Sequence, residues 1–268
     1  MGPQALLRHE RPIIVCAIGA IAALSWVYIW QGAGMGMTAL DMTALSLFPH
    51  RQLGMQGSME ASWWIIAVMW WVMMIAMMVP SATPLVLLYS KVLQQQLEPM
   101  AGRYAATSLL MAGYLVVWLA FSVVAATLQK MLEPAGLISE MMLWSRSAAL
   151  SAGVLAAAGL YQFSGLKRAC LTQCRSPVRF LTRYAGPGNG ASFMLGMRHG
   201  AFCVGCCWLL MALLFVGGVM NLIWIAALML FVLVEKLVPA GAAFGRVSGA
   251  LMIVWAGATL VPESVTST

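Results

Sequence analysis

Apolar side chains run in long stretches along this chain, at about 13–31, 62–88, 105–128, 144–164, 192–216, 221–239 and 246–262. Several of these stretches are apolar on every side, without the alternation of a strand or the single stripe of a surface helix. A hydrocarbon core about 30 Å thick needs about 20 such residues per helix. The pattern therefore predicts an all-α, polytopic transmembrane helix bundle of about seven spans, forming a single integral membrane domain over residues 1–268. The first stretch has no small-residue cleavage site behind a short apolar core, so it reads as a retained helix rather than a signal peptide. The second is long and carries Pro80 and Pro84 near its end. The fourth is rich in Ala and Gly, which suits close helix packing more than lipid contact. A tight Gly217-Gly218 turn joins the fifth and sixth into a hairpin. Two polar breaks stand out, a Met-rich segment at about 32–60 and a basic one at about 167–190.

Composition narrows the class. Apolar residues make up 62% of the chain and charged residues 9%, against roughly 45–50% and about 25% in soluble domains. Too few polar side chains exist to cover a wetted surface, which excludes a soluble enzyme, a disordered chain and a nucleic-acid-binding protein. The net charge of +7 follows from basic residues between the spans. With the N-terminus inside, Arg8, Arg11, Lys91, Arg103, Lys167, Arg168, Arg175, Arg179, Arg183, Arg198, Lys236 and Arg246 fall on the cytoplasmic side, leaving Arg51, Lys130 and Arg146 outside. That bias predicts an N-in, C-out chain in a bacterial-type inner membrane, with the lipid bilayer as its first partner.

The candidate chemistry flanks the basic loop. Cys170 and Cys174 are four residues apart, and His199, Cys203, Cys206 and Cys207 fall at 0, 4, 7 and 8. On helices each set lies on one face, and the two faces sit at the cytoplasmic ends of consecutive spans, where they can meet. Thiols there stay reduced, so ligation is expected rather than disulfides. Soft thiolates suit Cu(I), Zn(II) and iron–sulfur centres, and imidazole is compatible with the first two. Copper as Cu(I) is favoured, with zinc the alternative. The lone Cys16 needs no more than packing, since free cysteine behaves as a small hydrophobe.

Methionine adds a second pattern. Met35 and Met37 lie in the outer segment, while Met69, Met73 and Met77 lie along one stripe of the second helix. Thioethers can ligate soft Cu(I) without deprotonation, so Met35, Met37, Met73 and Met77 are accessory candidates, although methionine also simply fills gaps in a core. Pro80 and Pro84 free the carbonyls of Ala76 and Pro80, with Ser81 or Thr83 as expected partners. Glu235-Lys236 reads as a snorkelling lysine beside its ion partner, the alternative being Glu235 as a metal or proton acceptor facing the cysteines.

At these residues the chain resembles a little-characterised bacterial family of predicted metal-binding integral membrane proteins. The resemblance runs through Met69 to Ser81, Tyr161-Gln162 to Leu166-Lys167, Cys170 and Cys174 with Arg175 and Pro177, and His199-Gly200 to Cys203, Cys206, Cys207 and Trp208. It continues through Gly218, Met220-Asn221-Leu222 and Trp224 to Glu235-Lys236, and the first and last helices carry little of it. It implies metal binding and no catalytic residue. The expected function is soft-metal handling or transfer, with a metal-donor protein or a membrane complex as partner. The alternative is a subunit or assembly factor of a membrane redox enzyme, with structural or cofactor-binding cysteines.

Overall fold

A computed structural model describes residues 3–34, 40, 43, 62–96, 100–137, 145 and 147–260. Most of the Met-rich outer segment, with Met35 and Met37, lies outside the described residues, as does the expected end of the last span beyond Leu260. The helices are α1 (Pro3–Trp30), α2 (Trp63–Gln96), α3 (Met100–Leu132), α4 (Ala148–Gln162) and α5 (Gly165–Arg175), followed by α6 (Pro177–Tyr184), α7 (Asn189–Ala212), α8 (Leu214–Gly217), α9 (Leu222–Leu237) and α10 (Gly241–Leu260).

Among the described residues, five helices are long and apolar enough to cross a membrane: Arg11–Trp30, Trp63–Gln95, Ala101–Leu132, Asn189–Gly217 and Gly241–Leu260. A bent pair raises the number to six. The expectation of seven gives way at two places. The fourth stretch yields only the 15-residue α4 before the chain bends by 65° into α5. The sixth yields α9, whose 16 residues reach about 24 Å at 1.5 Å per residue, short of the hydrocarbon thickness. The fifth and sixth stretches do form a hairpin, in which Gly218 takes φ 94° and the Asn221 side chain caps α9 by accepting from the Trp224 N–H.

The methionine-rich helix is the centre of the fold. α2 packs against α1, α3 and α9, and Met69, Trp70, Met73, Met74, Met77 and Met78 are all 0–1% exposed. It runs helical through Pro80 and Pro84. Ser81 Oγ donates to the Met78 carbonyl (2.8 Å) and Thr83 Oγ1 to that of Val79 (3.4 Å), rather than to the carbonyls the prolines release. Trp70 Nε1 donates to Gln129 Oε1 of α3 at 2.8 Å, satisfying both buried polar ends. Outside this core, Leu24, Val124, Leu251 and Val254 are each at least 65% exposed, an apolar exterior unlike that of a soluble monomer.

The closest helix contact positions the site. A Cβ placed on Gly196 of α7 would stand 1.9 Å from the carbonyl oxygen of Leu110, and one on Gly113 of α3 would stand 2.1 Å from that of Phe193. Only glycine permits this backbone-to-backbone approach. It sets Tyr114 of α3 directly beside His199 and Cys203, one and two turns further along α7.

Candidate metal centre

Three elements bring sulfur together. From α7, both the Cys206 and the Cys207 thiols donate to the Cys203 carbonyl, at 3.1 and 2.9 Å. These three cysteines are 0–1% exposed. α5 packs along α7 and brings Cys174 to the side of Cys206. α2 contributes Met78, whose Sδ lies 4.0 Å from Cys207 Sγ. The methionine that reaches a cysteine is thus Met78. Met73 and Met77, the expected accessories, are core residues on the same helix.

Cys170 takes a different position. Its thiol lies over Gly205, 2.8 Å from where a Cβ would stand, and the Tyr161 hydroxyl donates to the Gly205 carbonyl. The glycine in the Cys203-Val204-Gly205-Cys206-Cys207 string is therefore the seat against which α4 and α5 dock. Composition offers no signal for that role, because it depends on what approaches from outside the helix.

A buried cation faces the sulfurs. Lys236 Nζ lies 2.9 Å from Cys203 Sγ and 3.0 Å from Ser81 Oγ. The Tyr114 hydroxyl bridges the same thiol (3.2 Å) and the Met78 carbonyl (3.1 Å). This reverses the expected roles at the end of α9. Lys236 is 6% exposed and points inward rather than snorkelling. Glu235 points away to form a buried ion pair with Lys167 of α5, Nζ to Oε2 2.8 Å, with both side chains 3% exposed. A lone hydrophilic pair at a helix end looks alike from sequence in either orientation, because consecutive residues lie only about 100° apart.

His199 is enclosed by rings. Its imidazole stacks on Tyr114 at 5.7 Å and meets the edge of Phe180 at 5.2 Å, and its Nδ1 is buried with no hydrogen-bond partner among the described residues. Equal helical spacing put it on the cysteine face, but ring packing from α3 and α6 claims it. Among the described residues, no group of three or more His, Cys, Asp or Glu side chains forms a ready metal shell. The arrangement brings the cysteine-bearing faces of α5 and α7 side by side, with the Met78 thioether and the Lys236 ammonium beside the α7 thiols.

A family model described as PpoB2, copper chaperone, matches residues 67–259, from the first turns of α2 almost to the end of α10. The chain belongs to this family. Membership of the copper chaperone family agrees with the expectation of copper handling, and the match takes in the last helix, which the resemblance had left aside. It begins beyond α1 and the outer methionine segment. No curated protein and no solved structure matches the chain.

Proposed function

We propose that this chain is a multi-spanning membrane protein of the copper chaperone family that takes Cu(I) as cargo on Cys206 and Cys174. Cys203 and Cys207 are the adjoining thiols and Met78 the nearest thioether. The observation that carries this reading is the packing of α5 along α7, which seats Cys170 on Gly205 and brings Cys174 to the side of the buried α7 cysteines. Thiolate and thioether donors select soft monovalent copper. Zinc prefers a closed tetrahedral shell, and among the described residues no group of three or more His, Cys, Asp or Glu side chains is assembled into one. Charge favours the same choice. Two thiolates and Cu(I) carry one net negative charge, which the Lys236 ammonium balances inside a medium that penalises unpaired charge. A divalent ion in the same place leaves an excess positive charge.

In this reading Cys170 and Glu235 fix α5 rather than bind metal, and His199 stiffens the wall behind Cys203. The metal leaves by ligand exchange to a partner with soft donors, and no step requires chemistry on the chain itself. The basic end of the bundle faces the cytoplasm. Lys167, being buried in its ion pair, is a poor reporter of that orientation. Lys91, exposed near the end of α2, and Lys130, at the opposite end of α3, suit impermeant amine labelling. Labelling of Lys130 and not Lys91 in intact cells is expected, and the reverse inverts the topology.

The decisive test is copper analysis of the gently purified full-length chain, followed by titration with Cu(I) against a chromophoric chelator. Cys206→Ser/Cys207→Ser should lose at least about tenfold in Cu(I) affinity, the usual effect of disturbing a metal site. An affinity equal to wild type would sink the assignment.

A further inference from the structure

Two depressions share one face of the α4–α10 pair. The first, about 280 Å³, lies where α4 turns into α5 and is lined by Gln162, Lys167, Arg168, Glu235, Gly245 and Arg246. The second is an apolar groove of about 410 Å³ between the same two helices, lined by residues such as Ala152, Gly153, Ala156, Ile253 and Gly257. Phe163 lines the first and Ala156 the second, seven residues apart on α4's turn of the chain; Arg246 and Ile253 are also seven apart on α10. Seven residues bring a helix back to within about 20° of the same direction. The two depressions therefore line up. Between them on α4, Leu160 is 63% exposed and carries the apolar surface from one to the other.

The polar end is built for an anion. Lys167 and Glu235 cancel each other in their ion pair. That leaves the guanidiniums of Arg168 and Arg246, both exposed at the rim. Arg246 Nε makes a long 3.4 Å bond to the Ala242 carbonyl, and the Arg168 guanidinium has no ion-pair partner among the described residues. Deeper in, Gln162 is 4% exposed, and both its Nε2 and Oε1 lack a hydrogen-bond partner among the described residues. A buried amide left without partners is costly, and here it lines the cavity, offering its NH₂ donors and its carbonyl acceptor to an occupant.

We propose that this face holds an anionic phospholipid, its phosphate between Arg168 and Arg246, its glycerol hydroxyl or ester groups on Gln162, and an acyl chain in the α4–α10 groove. Dimensions agree. From Gln162 to Ala152 is ten residues, about 15 Å of helix, which is half of a hydrocarbon core about 30 Å thick. A basic pocket between helices at the cytoplasmic end is where anionic headgroups bind. The proposal rests on the membrane reading above and is independent of copper.

The test uses the full-length chain in nanodiscs containing equal phosphatidylglycerol and phosphatidylcholine, with retained lipid counted by native mass spectrometry. Wild type should retain phosphatidylglycerol preferentially. Arg168→Gln/Arg246→Gln, both at exposed positions, should lower that preference about thirty-fold for two lost surface charges. Gly153→Leu, where a Cβ meets nothing within 4 Å, should fill the groove and reduce retention of both lipids without changing the preference between them. Inorganic phosphate at millimolar concentration should displace nothing. Displacement by phosphate would make this a free-anion site and overturn the lipid assignment, as would equal retention by wild type and the double arginine variant. Alkaline carbonate extraction separates the two readings. Release of the chain from membranes would end the membrane reading itself, whereas a chain that stays embedded yet shows no lipid preference would end only this proposal.

Discussion

Replacing Gly196 by alanine tests how the site is held. The added Cβ would stand 1.9 Å from the Leu110 carbonyl oxygen, 2.8 Å from its carbon and 3.0 Å from the Tyr114 nitrogen. All three are backbone atoms of α3, so no side chain can swing aside. Ordinary contact begins near 3.4 Å, and the helices must part by about 1.5 Å, the difference between 3.4 and 1.9. Overpacking of this kind costs typically 1–3 kcal/mol, and a rigid backbone obstacle places Gly196→Ala near the top, about 3 kcal/mol. The same displacement stretches the Tyr114 hydroxyl from 3.2 Å to as much as about 4.7 Å from Cys203 Sγ, beyond hydrogen bonding. Gly153→Ala is the control. Its Cβ meets nothing within 4 Å, and the helix-propensity gain of up to about 1 kcal/mol gives it the opposite sign. Equilibrium unfolding of both variants in detergent, with Cu(I) titration of each, reads stability and site together. A Gly196→Ala protein within about 0.5 kcal/mol of wild type, binding copper as tightly, would refute the argument that this contact sets the position of Tyr114.

Three further outcomes are expected. Met78→Leu, a volume-conserving change worth less than about 1.5 kcal/mol in stability, should weaken Cu(I) binding while Met73→Leu leaves it unchanged; equal behaviour in chelator competition would return Met78 to a packing role. Lys236→Met removes the ammonium from Cys203 and Ser81 and should lower Cu(I) affinity about 10- to 100-fold, from a charged hydrogen bond worth about 1.5–3 kcal/mol; unchanged affinity would dismiss the counter-charge. Lys167→Met leaves Glu235 buried and unpaired and should cost about 3–5 kcal/mol, a loss that Lys167→Met/Glu235→Gln should largely recover in the same unfolding assay.

Most of the architecture was readable from apolar run length, because a span needs little more than enough non-polar residues in sequence. The run-length signal failed where a run of sufficient length is interrupted by geometry, as at Phe163–Ser164, or where a terminal turn is spent on capping, as at Asn221. For the centre, helical spacing placed Cys203, Cys206 and Cys207 together on one buried helix but said nothing of what faces them. α5 lies along α7 because it turns back onto Gly205, and no periodicity contains that turn. Lys236, Tyr114, Ser81 and Met78 were missed as site residues because their roles depend on three other helices. The buried and unpaired state of Gln162 was equally invisible, since a glutamine at a helix end ordinarily faces water.

The bend between α4 and α5 carries a mechanical consequence. Phe163 and Ser164 still donate their N–H groups to carbonyls of the last turn of α4, and Ser164 Oγ accepts from the Lys167 N–H at the start of α5. The joint is thus complete in its own backbone bonds, and rotation about it exposes few new ones. α5 is restrained instead by side chains: Cys170 on Gly205, Lys167 on Glu235, and Arg175 donating to the Val238 and Pro239 carbonyls. α3 and α7, in backbone contact, have no such freedom. A swing of the short α5 arm against α7 is the motion that would carry Cys174 toward or away from the α7 thiols with the fewest backbone bonds broken.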